Sequence, residues 1–223
     1  MAQETTAKKK VKEENMQKKI ADAYRREVLL HGQDPQSVFA FCEKLEISED
    51  EFYRHYNGFE QIAEAFWAEL FEETLQALEQ TGEFSEFGVR DKFLSFYFSY
   101  FENLKRNRSY ALLRLDGLNL QTLLERQKMK ELKDRYKDWA QQMIIEAKNR
   151  DEIAGRSRVS NTYDDLLWYQ FLFLLDYWKR DRSRGFEGTD EAIEKAVNLA
   201  FDLIEKNAID SAFEFGKFLF QNR

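Results

Sequence analysis

Thiol and imidazole chemistry has very few side chains to draw on in this sequence. Cys42 is the single cysteine, and His31 and His55 are the two histidines of 223 residues. One thiol and two imidazoles cannot complete a closed Cys/His zinc site, and a lone thiol forms no intrachain disulfide. No Gly-rich phosphate loop, nucleophile elbow or Glu-x-x-His pair is written anywhere in the chain. Asp164-Asp165 is a pair of sequence neighbours, which a helix turns about 100° apart. The pair reads as acids at the start of a helix rather than as a general acid and base. Cys42, on an apolar helix face, reads as a small core residue, and His31, beside Gly32, as the end of a helix. The chemistry expected is therefore binding without catalysis, with no metal and no cofactor.

Two sets of residues are suited to binding. The first is charge. The chain carries −7 overall, but residues 1–26 hold +4 and residues 27–60 hold −6. Lys8, Lys9, Lys10, Lys12, Lys18, Lys19, Arg25 and Arg26 crowd the first segment, and in the second only Lys44 and Arg54 oppose eight acids. The second set is aromatic, with Phe 20, Tyr 10 and Trp 4 making up 15% of the residues. Phe93, Phe96, Tyr97, Tyr100, Phe101 and Leu104 recur at helical spacing. Phe66, Trp67, Phe96, Tyr97, Tyr100, Trp139 and Trp168 are candidates to line an apolar ligand pocket, with tyrosine hydroxyls as its few polar contacts. The same spacing also describes plain core packing, and both readings stand.

The elements that must position these residues are helices. One Pro and nine Gly cannot supply the turn every ~8–12 residues that a sandwich or barrel needs, so the fold class expected is all-α. Residues 1–12 read as a polar tail and Glu13–Leu30 as a first helix closed by Gly32. Asp34-Pro35 predicts the start of a second helix through Glu43, and Ser48 with Glu51 predicts a capping box opening a third. Further helices are expected over Phe59–Gln80, Val89–Lys105, Tyr110–Asp116, Leu118–Gln127, Met129–Lys148, Tyr163–Lys179, Asp190–Glu205 and Ile209–Leu219. The apolar run Leu166–Trp178 is interrupted by Gln170 and Asp176 and falls short of the ~20 residues a membrane helix needs. With no apolar N-terminal signal core, a soluble cytoplasmic chain without membrane contact is expected. Because Leu166–Trp178 is apolar on every side, Tyr163–Lys179 and Asp190–Glu205 are expected to build a homodimer interface.

Three helices within some forty residues, the last two joined by a tight turn, form a helix-turn-helix layout. Residues 13–65 resemble the DNA-binding domain of the TetR family of ligand-responsive transcriptional regulators. Phe41 and Cys42 match the small apolar positions before the turn. Ile47-Ser48 matches its Val-Ser pair, and Tyr53-Arg54-His55-Tyr56 matches the Tyr-x-His-Phe stretch that closes the recognition helix. The resemblance implies a DNA-binding head over residues 1–57 and a larger helical domain over 58–223 for an apolar or aromatic ligand, or an acyl chain, and for dimerisation. It further implies Lys18, Lys19, Arg25, Ser37, Lys44, Ser48, Tyr53, Arg54 and His55 as the residues that would meet double-stranded DNA. The sequence departs from the family at Glu46, where the turn usually has Gly, at Glu49-Asp50-Glu51, and at Phe59, where a Lys commonly touches phosphate. Three acids in the first turn of the recognition helix suit its dipole but oppose a phosphate backbone. Weak DNA binding, carried by cations outside that helix, is therefore expected. A ligand-carrying protein on the same fold, like the lipid-binding accessory protein of ubiquinone biosynthesis, is the other function the residues allow.

Overall fold

The computed structural model describes residues 2–125, 129–153 and 160–205, and among them all regular structure is helical. The helices are α1 (Ala2–His31), α2 (Val38–Leu45), α3 (Glu49–His55), α4 (Phe59–Glu79) and α5 (Val89–Arg106). They continue with α6 (Arg108–Leu115), α7 (Leu120–Glu125), α8 (Lys130–Asn149), α9 (Ser160–Arg180) and α10 (Glu187–Glu205). Two expectations are corrected. The first helix does not wait for Glu13 but runs from Ala2, because the Ala, Lys, Glu and Gln before it are strong helix formers and no Gly or Pro interrupts them. The second helix starts at Val38, not at Asp34-Pro35. Ser37 is its N-cap, accepting a hydrogen bond from the Ala40 amide at 3.1 Å. The helix expected over Ile209–Leu219 lies outside the described residues.

The chain divides into two compact units, Met1–Phe66 with Asn107–Asp116, and Trp67–Arg106 with Gly117–Arg223. The first is built around α1. Ile20, Tyr24 and Val28 are fully buried on one face of that helix. The Tyr24 ring stacks on Phe59 at 5.4 Å, and Phe41 and Phe52 meet Phe59 edge-on at 5.4 and 5.8 Å. Phe59 thus stands where the family commonly has a phosphate-binding Lys because here the position packs the core. Asp34, freed from capping α2, accepts hydrogen bonds from the Tyr24 hydroxyl and from Arg114 of α6, both at 2.6 Å. Arg114 in turn lies over the rings of Tyr24 and Tyr110. A charged clamp with aromatic walls therefore ties α6 to α1 and to the loop after it.

The second unit surrounds α5, whose Phe93, Phe96, Tyr97, Tyr100, Phe101 and Leu104 are all buried. Its first turn is fixed by α8 and the turn after it. The Glu152 carboxylate accepts from the Val89 amide at 2.7 Å, and buried Lys92 pairs with Glu146 at 2.7 Å. Lys137 of α8 reaches both Asp164 and Asp165 of α9, at 3.1 and 2.9 Å. These neighbouring acids therefore serve a helix–helix ion pair. The turn from α9 into α10 is held by Asp181, whose carboxylate accepts from the Ser183 amide and from the amide and hydroxyl of Thr189, at 2.6–2.8 Å. Burial alone would raise the Asp181 pKa, but these hydrogen bonds hold it down to about 2.

Candidate functional site

The helix-turn-helix is assembled by local signals. Glu46 takes the left-handed conformation, φ 57°, ψ 44°, at the end of α2, and its amide bonds back to the carbonyls of Cys42 and Glu43. A glycine would suit that conformation without strain, yet the turn closes with Glu. Ser48 then caps α3 by accepting from the Glu51 amide at 3.1 Å. Only this half of the capping box forms. The Glu51 carboxylate faces the other end of the helix instead, pairing with Arg54 at 2.7 Å and lying 3.6 Å from His55.

The residues expected to meet DNA fall into three groups. Tyr53 and Arg54 are exposed on α3, whereas His55 is mostly covered beside Glu51. Ser37 and Ser48 are both N-caps, which commits their hydroxyls as acceptors. Of the cations, Lys44 pairs with Glu27 at 2.8 Å, Arg54 with Glu51, and Arg25 with Asp22 at 3.2 Å while also lying over Phe66. Lys18 and Lys19 are exposed and form no ion pair among the described residues. The side chains of Lys8, Lys9, Lys10 and Lys12 lie outside those described. Cys42 is buried, which pushes its thiol pKa up and leaves it a core residue. His31 stands in the last turn of α1, 3.5 Å from Glu27.

The seven aromatic residues expected to line a pocket are all buried. Phe66 belongs to the first unit, against Tyr110 at 4.9 Å. In the second unit Phe96 meets Trp139 at 4.7 Å and Tyr100 at 5.6 Å, and Tyr136 meets Trp168 at 5.7 Å. Phe171 stacks on Trp168 at 5.4 Å. Trp67 is buried in the same unit. Tyr136 donates to the Leu167 carbonyl at 3.1 Å, so its oxygen accepts the Tyr97 hydroxyl at 2.5 Å. Burial pushes the pKa of Tyr97, Tyr100 and Tyr136 upward, which keeps all three neutral. The Tyr100 hydroxyl has no hydrogen-bond partner among the described residues.

A groove of about 580 Å³ lies between α9 and α10 of this unit. Its walls are Leu166, Tyr169, Phe173 and Tyr177 from α9, with Leu199 and Leu203 from α10. Tyr169, Phe173 and Leu199 are 51%, 43% and 61% exposed. Leu172, by contrast, is 1% exposed. The apolar girth of α9 is therefore divided between the protomer's own core and an open face. The helices of this face are legible in the sequence, and the groove between them is not. The signal was present in α10, whose Ala192, Ala196, Leu199 and Leu203 recur at helical spacing.

Among the described residues no three His, Cys, Asp or Glu side chains are grouped to hold a metal ion, and no helix is long and apolar enough to cross a membrane. No curated protein matches the sequence. A crystal structure described as that of a TetR-family transcriptional regulator from Syntrophomonas wolfei has a similar fold, with a TM-score of 0.59 at 15% identity. The match covers 86% of this chain and 95% of that one. Residues 92–219, more than half of the sequence, match the family model of the tetracyclin repressor-like C-terminal domain. A helix-turn-helix formed by Ser-capped α3 thus precedes a domain recognised by its own sequence pattern, and the chain belongs to the TetR family.

Proposed function

We propose that the protein is a homodimeric transcriptional regulator in which residues 1–57 form the DNA-reading head and residues 58–223 the sensing and dimerising domain. The observation that carries this reading is the helix-turn-helix itself. The turn at Glu46 and the Ser48 cap present α3 with Tyr53 and Arg54 outward, the geometry of a helix that enters a major groove. Dimerisation is supported by the open face of α9 and α10, whose aromatic and aliphatic side chains suit a symmetric helical interface. An obligate interface there would bury upwards of ~2,000 Å² in total, and the two heads would stand ~34–36 Å apart to reach successive major grooves. Ligand response is supported by the Tyr100 hydroxyl, a buried polar group with no hydrogen-bond partner among the described residues, on a ring packed against Phe96 and Phe171. A flat aromatic or acyl ligand that parts those rings and offers an acceptor would complete it.

The test joins sedimentation with titration of the protein's own upstream DNA. A dimer that binds this duplex more tightly than random sequence supports the reading, and a stable monomer at micromolar concentration defeats it. A second reading, a ligand carrier without DNA binding, is favoured by the acidic first turn of α3 and by the pairing of Lys44 and Arg54 with acids of the head. Ligand-dependent quenching of tryptophan fluorescence, with no duplex binding even at low salt, would select it.

A further inference from the structure

The cations of the head are sorted by their partners, and the sorting is spatial. Lys44, Arg54 and Arg25 each neutralise an acid of the same unit. Lys19 and Arg26 are exposed on α1 and make no ion pair among the described residues. At 3.6 residues per turn these two lie within about 20° of one another on the helix. Lys8 and Lys12 share their register, so the four fall in an arc of about 40°, with uncharged Asn15 beside them. Asp22 and Glu4 border this arc, and the Asp22 carboxylate is held by Arg25 at 3.2 Å. From Lys8 to Arg26 the ridge spans about 27 Å of helix axis, roughly eight base-pair steps.

The ridge also has a fixed place in the head. Lys19 Nζ lies 3.5 Å from the Leu45 carbonyl at the end of α2, so the ridge flanks the turn that leads into α3. The opposite side of α1 is occupied, since Ile20, Tyr24 and Val28 are fully buried in the head. That face of α1 is therefore not free to lie on a membrane.

We infer that the phosphate backbone of double-stranded DNA is gripped by this ridge on α1, centred on Lys19 and Arg26, rather than by the cations of α2 and α3. The inference rests on the reading of the head as a DNA-binding unit. A cation already neutralised by a neighbour has little counterion exchange to offer a phosphate, whereas an unpaired one contributes in full. The ridge thus supplies the sequence-independent attraction that Glu49, Asp50 and Glu51 withhold.

The test is a salt titration of duplex binding, from about 50 to 200 mM, on full-length variants. Lys19→Gln/Arg26→Gln is expected to reduce the log–log salt slope by about 2 and to weaken binding on the order of 50-fold near 0.1 M salt. Lys8→Gln/Lys12→Gln should act in the same direction, and substitution at the exposed Lys19 and Arg26 should leave the thermal midpoint unchanged. Lys44→Gln/Arg54→Gln, the paired control, should leave the slope where it was. Equal slope losses for ridge and control, or a loss in the control alone, would overturn the inference while sparing the DNA-binding reading. Wild-type protein that fails to bind any duplex at low salt would overturn both. Tighter binding to phosphatidylglycerol vesicles than to duplex would overturn the assignment of the ridge to DNA.

Discussion

The second unit carries two aromatic surfaces made of the same residue types, and they have opposite fates. The inward stripe of α5 is met on its far side by Phe71, Tyr136, Trp139 and Phe171, so its rings interlock. The outward stripe of α9, Tyr169, Phe173 and Tyr177, faces a groove with α10 and is left open among the described residues. A helical aromatic stripe thus specifies that something apolar will cover it, and not whether the cover comes from within or from outside. Truncating the first should cost folding, and charging the second should cost assembly.

The largest effect is expected at the closed surface. Phe96→Ala removes a fully buried ring that touches several others, and about 3–5 kcal/mol of stability should be lost in chemical denaturation. A loss below about 1 kcal/mol would mean that the stripe surrounds a void into which neighbours relax. At the open surface, Phe173→Glu should leave helix content and thermal midpoint of the isolated protomer nearly intact. It should weaken the dimer by about 2 kcal/mol or more, read by sedimentation. If the same substitution unfolds the chain, the two surfaces are one core and the distinction fails.

Smaller effects sharpen the comparison. Tyr97→Phe deletes the bond to Tyr136, which keeps its own donation to the Leu167 carbonyl. The expected cost is about 1 kcal/mol, since no donor is left stranded. Asp181→Asn tests the turn that sets α10 beside α9. Its carboxyl is depressed to about 2 from an ordinary 3.8, so the stabilisation is complete above the ordinary value and is lost as pH falls toward 2. The variant should be less stable than the wild type at neutral pH, and the difference should shrink as pH falls toward 2, where the wild type loses the same interactions. An unchanged acid profile would place the stabilising interactions of that turn elsewhere.

Much of the fold was legible because its signals are local. Ser48 three residues before Glu51, Gly32 after a run of helix formers, and the 3-1-3-1-3 spacing from Phe93 each specify a helix end or a helix face without reference to distant parts. The start of α2 differs from the sequence expectation for a related reason. Asp34-Pro35 and Ser37 are both plausible openings, and Asp34 was drawn away by Tyr24 and Arg114, the latter 80 residues further along the chain. At the candidate sites the sequence supplied the cations and the aromatics but not their allegiances. Nothing in the spacing of Lys44 and Glu27, 17 residues apart, announces an ion pair.

The sequence by itself determined that the chain is helical, that its first helices form a helix-turn-helix and that α3 opens with three carboxylates. Each of these follows from neighbours within one or two helical turns, where backbone geometry alone fixes which groups meet. Only the tertiary structure decided which cations remain unpaired, which aromatic stripe is sealed and which is open. Those outcomes depend on the side chain that distant segments bring opposite, and a charge or a ring takes its role from that partner rather than from its own position in the chain.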